Sequence, residues 1–102
     1  MLNFNEYKHR NQYVAIANGC AFFKSYNSLI AFVNMAKKEV VLGDDWNYSK
    51  TTLRHLNAFL NDFYMAGRYF TKENEKRIKD GTFVKNQAIL ENLLDAANTI
   101  KQ

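Results

Sequence analysis

The stretch Tyr13 to Tyr26, YVAIANGCAFFKSY, decides how this chain folds. Tyr13-Val14-Ala15-Ile16-Ala17 is a short apolar run suited to a strand. Asn18-Gly19 follows, and both residue types tolerate the positive φ that a tight two-residue hairpin demands. Cys20 to Tyr26 then reads as the returning strand. A β-hairpin therefore stands near the start of the chain, and its neighbours can be read relative to it.

Upstream, residues 1–11 carry charged and titratable side chains with little periodicity, and they read as a loose, flexible arm. Downstream, Ser28 to Met35 (SLIAFVNM) is a further β-rich run. Ala36-Lys37-Lys38 reads as a turn, and Glu39 to Gly43 as a fourth extended piece. Asn27 marks either a bend between two strands or a position inside one long strand. The N-terminal half is thus expected to form a three- to four-stranded antiparallel β-meander.

Beyond Gly43 the period changes. Leu53, Leu56, Phe59, Leu60, Phe63 and Tyr64 recur at three-four spacing, predicting a helix over Lys50 to Met65 capped by Ser49 or Thr51. Gly67 is its natural stop. Thr71 is expected to cap a short charged helix, Lys72 to Lys79, ended by Asp80-Gly81. Its only aliphatic residue is Ile78. Thr82 is expected to cap a last helix from Phe83 to Ile100, with a stripe of Ile89, Leu90, Leu93, Leu94, Ala97 and Ile100. The expected fold class is α+β, with two long helices and one short helix packed on one face of the meander.

The chain has 102 residues, enough for a single domain, 1–102. Hydrophobic residues make up 47% and aromatic residues 15%, which supports a packed core and leaves aromatics for the surface. Cys20 is the single cysteine, so a disulfide scaffold within the chain is excluded. No apolar run approaches the ~20 residues that cross a bilayer, and the N-terminal residues do not read as a signal peptide. The expected location is cytoplasmic. A net charge of +4 permits contact with nucleic acid or acidic protein and excludes imitation of DNA, which needs strong negative charge.

Reactive constellations are sparse. His9 lies in the arm, and His55 sits at the edge of the first helical stripe. One cysteine and two histidines distant in sequence do not make a zinc site. A Cys20–His55 nucleophilic pair is formally open, but Cys20 in a strand start reads as a small buried thiol. Asp44-Asp45 reads as a polar turn, because the alternating oxygen ligands of a calcium loop are missing. No glycine-rich phosphate loop is present. The expectation is a non-enzymatic protein without cofactor or metal. Two regions can carry binding instead. Arg68 to Lys85 interleaves basic residues with aromatics, and Lys72, Lys76 and Lys79 share one helical face, with Arg77 adjacent. Trp46 and Tyr48 precede a capped helix that presents Lys50 and Arg54. They form either a staple onto the core or an exposed aromatic platform. The candidate partner-binding set is Trp46, Tyr48, Lys50, Arg54, Lys72, Lys76, Arg77 and Lys79.

Three segments, SYNSLIAFV (Ser25–Val33), VVLGDDWNYSKTT (Val40–Thr52) and RHLNAFL (Arg54–Leu60), carry a resemblance. They resemble a module in small proteins of phages, plasmids and other mobile elements of Gram-positive bacteria. There an S-Y-x-S-x-I-A segment precedes L-G-x-x-W-x-Y-S-x-T-T-x-x-H-L-x-x-F-L. Some small mobile-element proteins of this type block host defence, including RNA-guided CRISPR nucleases. The resemblance therefore implies an accessory protein that binds stoichiometrically, most concretely an inhibitor of such a nuclease (an anti-CRISPR protein). Its partner would be a host protein, either the nuclease or its guide-RNA complex. The alternative expectation is a small nucleic-acid-binding or regulatory protein, with the chain a monomer or homodimer in either case.

Overall fold

A computed structural model describes residues 2–64 and 71–100. Nine elements follow in chain order. Five strands come first: β1 (Asn5–Tyr7), β2 (His9–Ala17), β3 (Cys20–Ser25), β4 (Ser28–Asn34) and β5 (Glu39–Leu42). Then come α1 (Lys50–Phe63), α2 (Thr71–Lys79), β6 (Phe83–Lys85) and α3 (Gln87–Ile100). The α+β class is as expected, but the sheet has six strands, in the spatial order β1-β2-β3-β4-β5-β6. Its first five strands pair antiparallel, and β6 pairs parallel to β5.

The deciding hairpin forms as its residues dictate. Asn18 and Gly19 sit at φ 52° and 78°, and β2 and β3 pair from Ala17–Cys20 to Gln12–Ser25. Asn27 belongs to a second tight turn, so Ser25 and Ser28 pair and the two strands are separate. Much of the expected loose arm lies in strands instead. Residues 5–7 form the edge strand β1, and Leu2 is buried with its N–H donating to Asn98 Oδ1 at 2.7 Å.

The helices cover both faces of the sheet, which corrects the two-layer expectation. α1 lays Leu56, Phe59 and Leu60 over Ala21, Phe23, Val33, Val40 and Leu42. α3 lays Leu90, with Leu93, Leu94 and Ala97, over Phe22, Leu29, Phe32 and Val41 on the opposite face. The side-chain period of two in β3 divides Phe22 from Phe23 between these cores. In β4 the register shifts opposite Phe23/Lys24, and the extra residue, Ile30, turns toward α1 alongside Ala31. This bulge keeps Leu29 and Phe32 together on the α3 face.

Ser49 caps α1 in extended backbone, its Oγ accepting from Thr52 N–H, so Thr51 lies inside the helix. The expected stop at Gly67, and Arg68, Tyr69 and Phe70 of the basic segment, lie outside the described residues. α2 ends as expected at Lys79, before Asp80-Gly81, with Gly81 at φ 84°. The last helix starts later than expected. Phe83 to Lys85 joins the sheet, Asn86 N–H donates to Leu42 O, and Asn86 Oδ1 accepts from Ile89 N–H as the cap of α3. Gly43, at the end of β5, has no room for a side chain. A Cβ there would meet Gln87, the backbone oxygen of Leu29 at 2.9 Å and Leu90 at 3.0 Å.

Candidate functional site

Two turns meet at the N-terminal end of α1. The β3–β4 turn supplies Ser25, Tyr26, Asn27 and Ser28, and the loop between β5 and α1 supplies Asp45, Tyr48 and Ser49. With Ile30, Thr51 and Thr52 they line an open cleft of about 630 Å³. The β3 and β4 ends reach this place because Ser25 pairs with Ser28 across a two-residue connection. The α1 end reaches it because Trp46, 4% exposed, anchors the preceding loop in the core beside Leu56 and Phe59.

Most of the lining residues carry a hydroxyl or an amide, although the wall they present is more apolar than polar. Ser49 Oγ lies 3.1 Å from Thr52 Oγ1 and takes the Thr52 N–H. Ser25 is 4% exposed, and its Oγ has no hydrogen-bond partner among the described residues. Its cross-strand neighbour Gln12, 1% exposed, likewise has an unpartnered Oε1. Buried polar atoms are nearly always satisfied, so two neighbouring unpartnered ones set this end of the sheet apart from an ordinary core. Two aromatics stand exposed at this cleft, Tyr26 at 60% and Tyr48 at 79%. Tyr26 holds φ 56°, the left-handed region that a bulky side chain enters at a cost of about 1–2 kcal/mol. Its backbone N–H donates to Asn11 O at 2.6 Å.

The candidate partner-binding residues fall in different places. Tyr48 is at the cleft, with Lys50 and Arg54 exposed on α1. Trp46 is a core residue, so the exposed Trp-Tyr platform is replaced by a buried anchor followed by one exposed ring. Lys72, Lys76 and Lys79 are exposed on α2, and no α2 residue lines the cleft. Arg77 turns inward, its guanidinium 5.9 Å from the Tyr64 ring and 5.7 Å from the Phe83 ring, as cation–π contacts. The set therefore divides into a cleft group and a separate lysine face. Among the cleft residues that the sequence reading missed as a site are Ser25, Tyr26, Ser28, Thr51 and Thr52. Their signal was present, because all five fall within the two segments of the S-Y-x-S and W-x-Y-S-x-T-T module. Those segments, separated in sequence, converge on this cleft.

The reactive groups do not converge. His9 and His55, read as distant, are in contact, with ring centroids 4.5 Å apart. Burial pushes the His55 pKa down, and His9 and Arg54 push it further. Cys20 packs on the α3 side of the sheet, where burial and then Glu39 push its thiol pKa up, away from the reactive thiolate. Asp44 faces Lys85 at 3.9 Å, and its N–H donates to Gln87. Among the described residues no group of three or more His, Cys, Asp and Glu side chains is placed to hold a metal ion. No helix among them is long and apolar enough to cross a membrane.

Tyr7 and Lys8 fasten the edge strand to α1. The Tyr7 hydroxyl donates to Asp62, and Lys8 Nζ is 3.0 Å from the same carboxylate. The hydrogen bond from Tyr7, ahead of the effect of Lys8, holds the Asp62 carboxyl below its ordinary range. Burial, then the Asp62 contact, pushes the Tyr7 phenol upward.

No curated relative and no solved structure matches the chain. A family profile matches residues 3–87, which takes in the whole cleft and both segments that line it. The chain therefore belongs to the family of unknown function DUF8033.

Proposed function

We propose that this protein is a non-enzymatic accessory protein that works by stoichiometric binding through the cleft at the N-terminal end of α1. The observation that carries this reading is the pair of exposed tyrosines at the cleft, Tyr26 at 60% and Tyr48 at 79%. Exposed aromatic rings beside a concave, partly desolvated surface are the usual anchors of an interface. The separation of Cys20, His55 and Asp44 supports binding over turnover.

The partner in this reading is a host protein inside the bacterial cell. The resemblance to mobile-element proteins that block host defence makes an RNA-guided CRISPR nuclease, alone or loaded with guide RNA, its most concrete form. Size-exclusion chromatography of the purified chain with purified nuclease, with and without guide RNA, tests it. A one-to-one complex that inhibits DNA cleavage and is lost in Tyr48→Ala is expected. Absence of co-elution with every effector tried removes the nuclease assignment.

A second reading rests on the exposed Lys72, Lys76 and Lys79 face of α2, which suits a nucleic-acid backbone. It predicts binding to duplex that weakens by about 0.9 log unit per phosphate contact for each tenfold rise in salt. No binding at low salt removes it.

A further inference from the structure

We infer that the cleft at the N-terminal end of α1 takes an arginine side chain presented by the protein partner, its guanidinium held by the exposed tyrosine rings and the Asp45 carboxylate. This inference rests on the reading of the cleft as the binding site and names the chemistry that enters it.

The chain carries a net charge of +4, yet the charged residue that lines this cleft, among the described residues, is the acid Asp45. Other carboxylates are occupied: Asp62 faces Lys8 at 3.0 Å, and Asp44 faces Lys85 at 3.9 Å. Asp45 is exposed, and its carboxylate has no ion pair or hydrogen bond among the described residues. Its loop is fixed in place. Trp46 is buried in the core, and Asp45 O accepts the Tyr48 N–H at 3.1 Å. The acid and the tyrosine therefore flank one anchored turn.

The second observation concerns the rings and is independent of charge. Tyr26 and Tyr48 both line the cleft, and both are exposed. Neither ring meets another ring or a cation among the described residues, whereas Tyr7 and Tyr64 already stand beside Lys8 and Arg77. A guanidinium is planar, stacks on aromatic faces and forks onto a carboxylate. Its N–H donors find acceptors in hydroxyls such as those of Ser28 and Thr51, and its methylene stem suits the apolar wall at Ile30. A lysine ammonium is more strongly hydrated and has no plane to stack. A cleft of about 630 Å³ has room for the side chain and the peptide that carries it.

Two features oppose a cation. The N-terminus of α1 carries roughly half a positive elementary charge, and Lys50 and Arg54 are exposed just beyond it. The full charge of Asp45 exceeds the first, and Ser49 Oγ already accepts one of the helix-end donors. Neither basic residue lines the cleft.

The test is a titration of the full chain with capped Gly-Arg-Gly and its lysine and citrulline counterparts, followed by the amide resonances of Ser28, Asp45, Tyr48 and Thr51. Saturable binding of the arginine peptide in the millimolar range is expected. The lysine peptide should bind more weakly, and citrulline, which keeps the shape of arginine without its charge, should not bind. Asp45→Asn should weaken binding about two- to fivefold, the range of an exposed ion pair. Tyr48→Ala should weaken it by a similar factor, whereas Tyr48→Phe, which keeps the ring, should not. Raised salt should weaken binding to the native chain more than to Asp45→Asn. Citrulline binding equal to arginine, or an unchanged affinity in both Asp45→Asn and Tyr48→Ala, overturns the inference. Equal binding of the lysine peptide overturns the choice of a guanidinium. Tighter binding of tetramethylammonium than of the arginine peptide overturns it too, in favour of a small quaternary cation. If no peptide binds but the chain still forms a Tyr48-dependent complex with a protein partner, the binding reading stands and only the arginine assignment falls.

Discussion

Tyr26 and Tyr48 occupy the same cleft at different backbone cost. Tyr26 is held at φ 56° in a turn where asparagine or glycine is at ease. Nothing in its packing accounts for that, since its side chain is 60% exposed. The tight turn demands the positive φ, and a residue as bulky as tyrosine there makes the ring a target for a functional test. Tyr26→Asn is therefore expected to stabilise the fold by up to about 1–2 kcal/mol of relieved strain, raising the unfolding midpoint while weakening the partner complex. A lower midpoint in thermal denaturation would show that the ring stabilises the fold instead. Trp46 and Tyr48, two positions apart, should respond in opposite ways. Trp46→Ala removes a core ring and should cost about 3–5 kcal/mol. Tyr48→Ala should change stability by less than about 0.5 kcal/mol and act on binding alone. Denaturant titration of both variants distinguishes these outcomes. The sequence offered both rings as anchors, because aromatic type says nothing about which side of the core boundary a residue lies on.

At the scale of elements, the contacts between α1 and the first two strands make stability depend on pH. His55 has its pKa lowered by burial, with His9 and Arg54 adding to the effect. The unfolded chain, with an ordinary value of 6.5, takes up this proton before the folded one does. Stability should therefore fall as pH drops below about 6.5 and level off once the folded imidazole is protonated. His55→Gln, which cannot titrate, should flatten this leg of a chemical-denaturation series between neutral and mildly acid pH; an unchanged leg would assign it to other groups. The Tyr7–Asp62–Lys8 contact acts in a more acid window. Asp62 has a lowered pKa, so its contribution is present above the ordinary value of 3.8 and is lost as pH falls through the folded one. A different restraint governs the junction of β5 and α3. Gly43→Ala would press a methyl group to 2.9 Å from the Leu29 carbonyl, a backbone atom that cannot rotate away. It should destabilise by about 1–3 kcal/mol, read by thermal unfolding. None of these contacts joins residues close in the chain, so local periodicity carries no trace of them. The hairpin, the α1 stripe and the Gly81 stop were legible because each depends on residues a few positions apart.

At the scale of the molecule, the sheet is the middle layer of three. The family match ends at residue 87, where α3 begins, yet α3 covers one complete core on Phe22, Leu29, Phe32 and Val41. A chain ending at residue 86 should expose that face, bind a hydrophobic dye and lose cooperative unfolding. Retained cooperativity would show that the α1 side suffices. The sequence by itself determined the α+β class, the hairpin at Asn18-Gly19, the strand run through Glu39 and the placement of α1 and α2. It also contained a trace of the third layer that went unread. Ser28 to Asn34 shows no alternation of apolar and polar residues, which is the mark of a strand buried on both faces. Only the tertiary structure decided that Phe83 to Lys85 is a strand. Three residues carry no periodic signal, and their pairing partner, β5, lies some forty positions earlier. It alone also brought Ser25 to Ser28 beside Ser49 to Thr52, and buried Trp46 while leaving Tyr48 exposed. The physical reason is common to these cases. Local propensity acts over a few residues, whereas which face is covered, and what meets across it, depends on how the whole chain excludes water from its apolar surface.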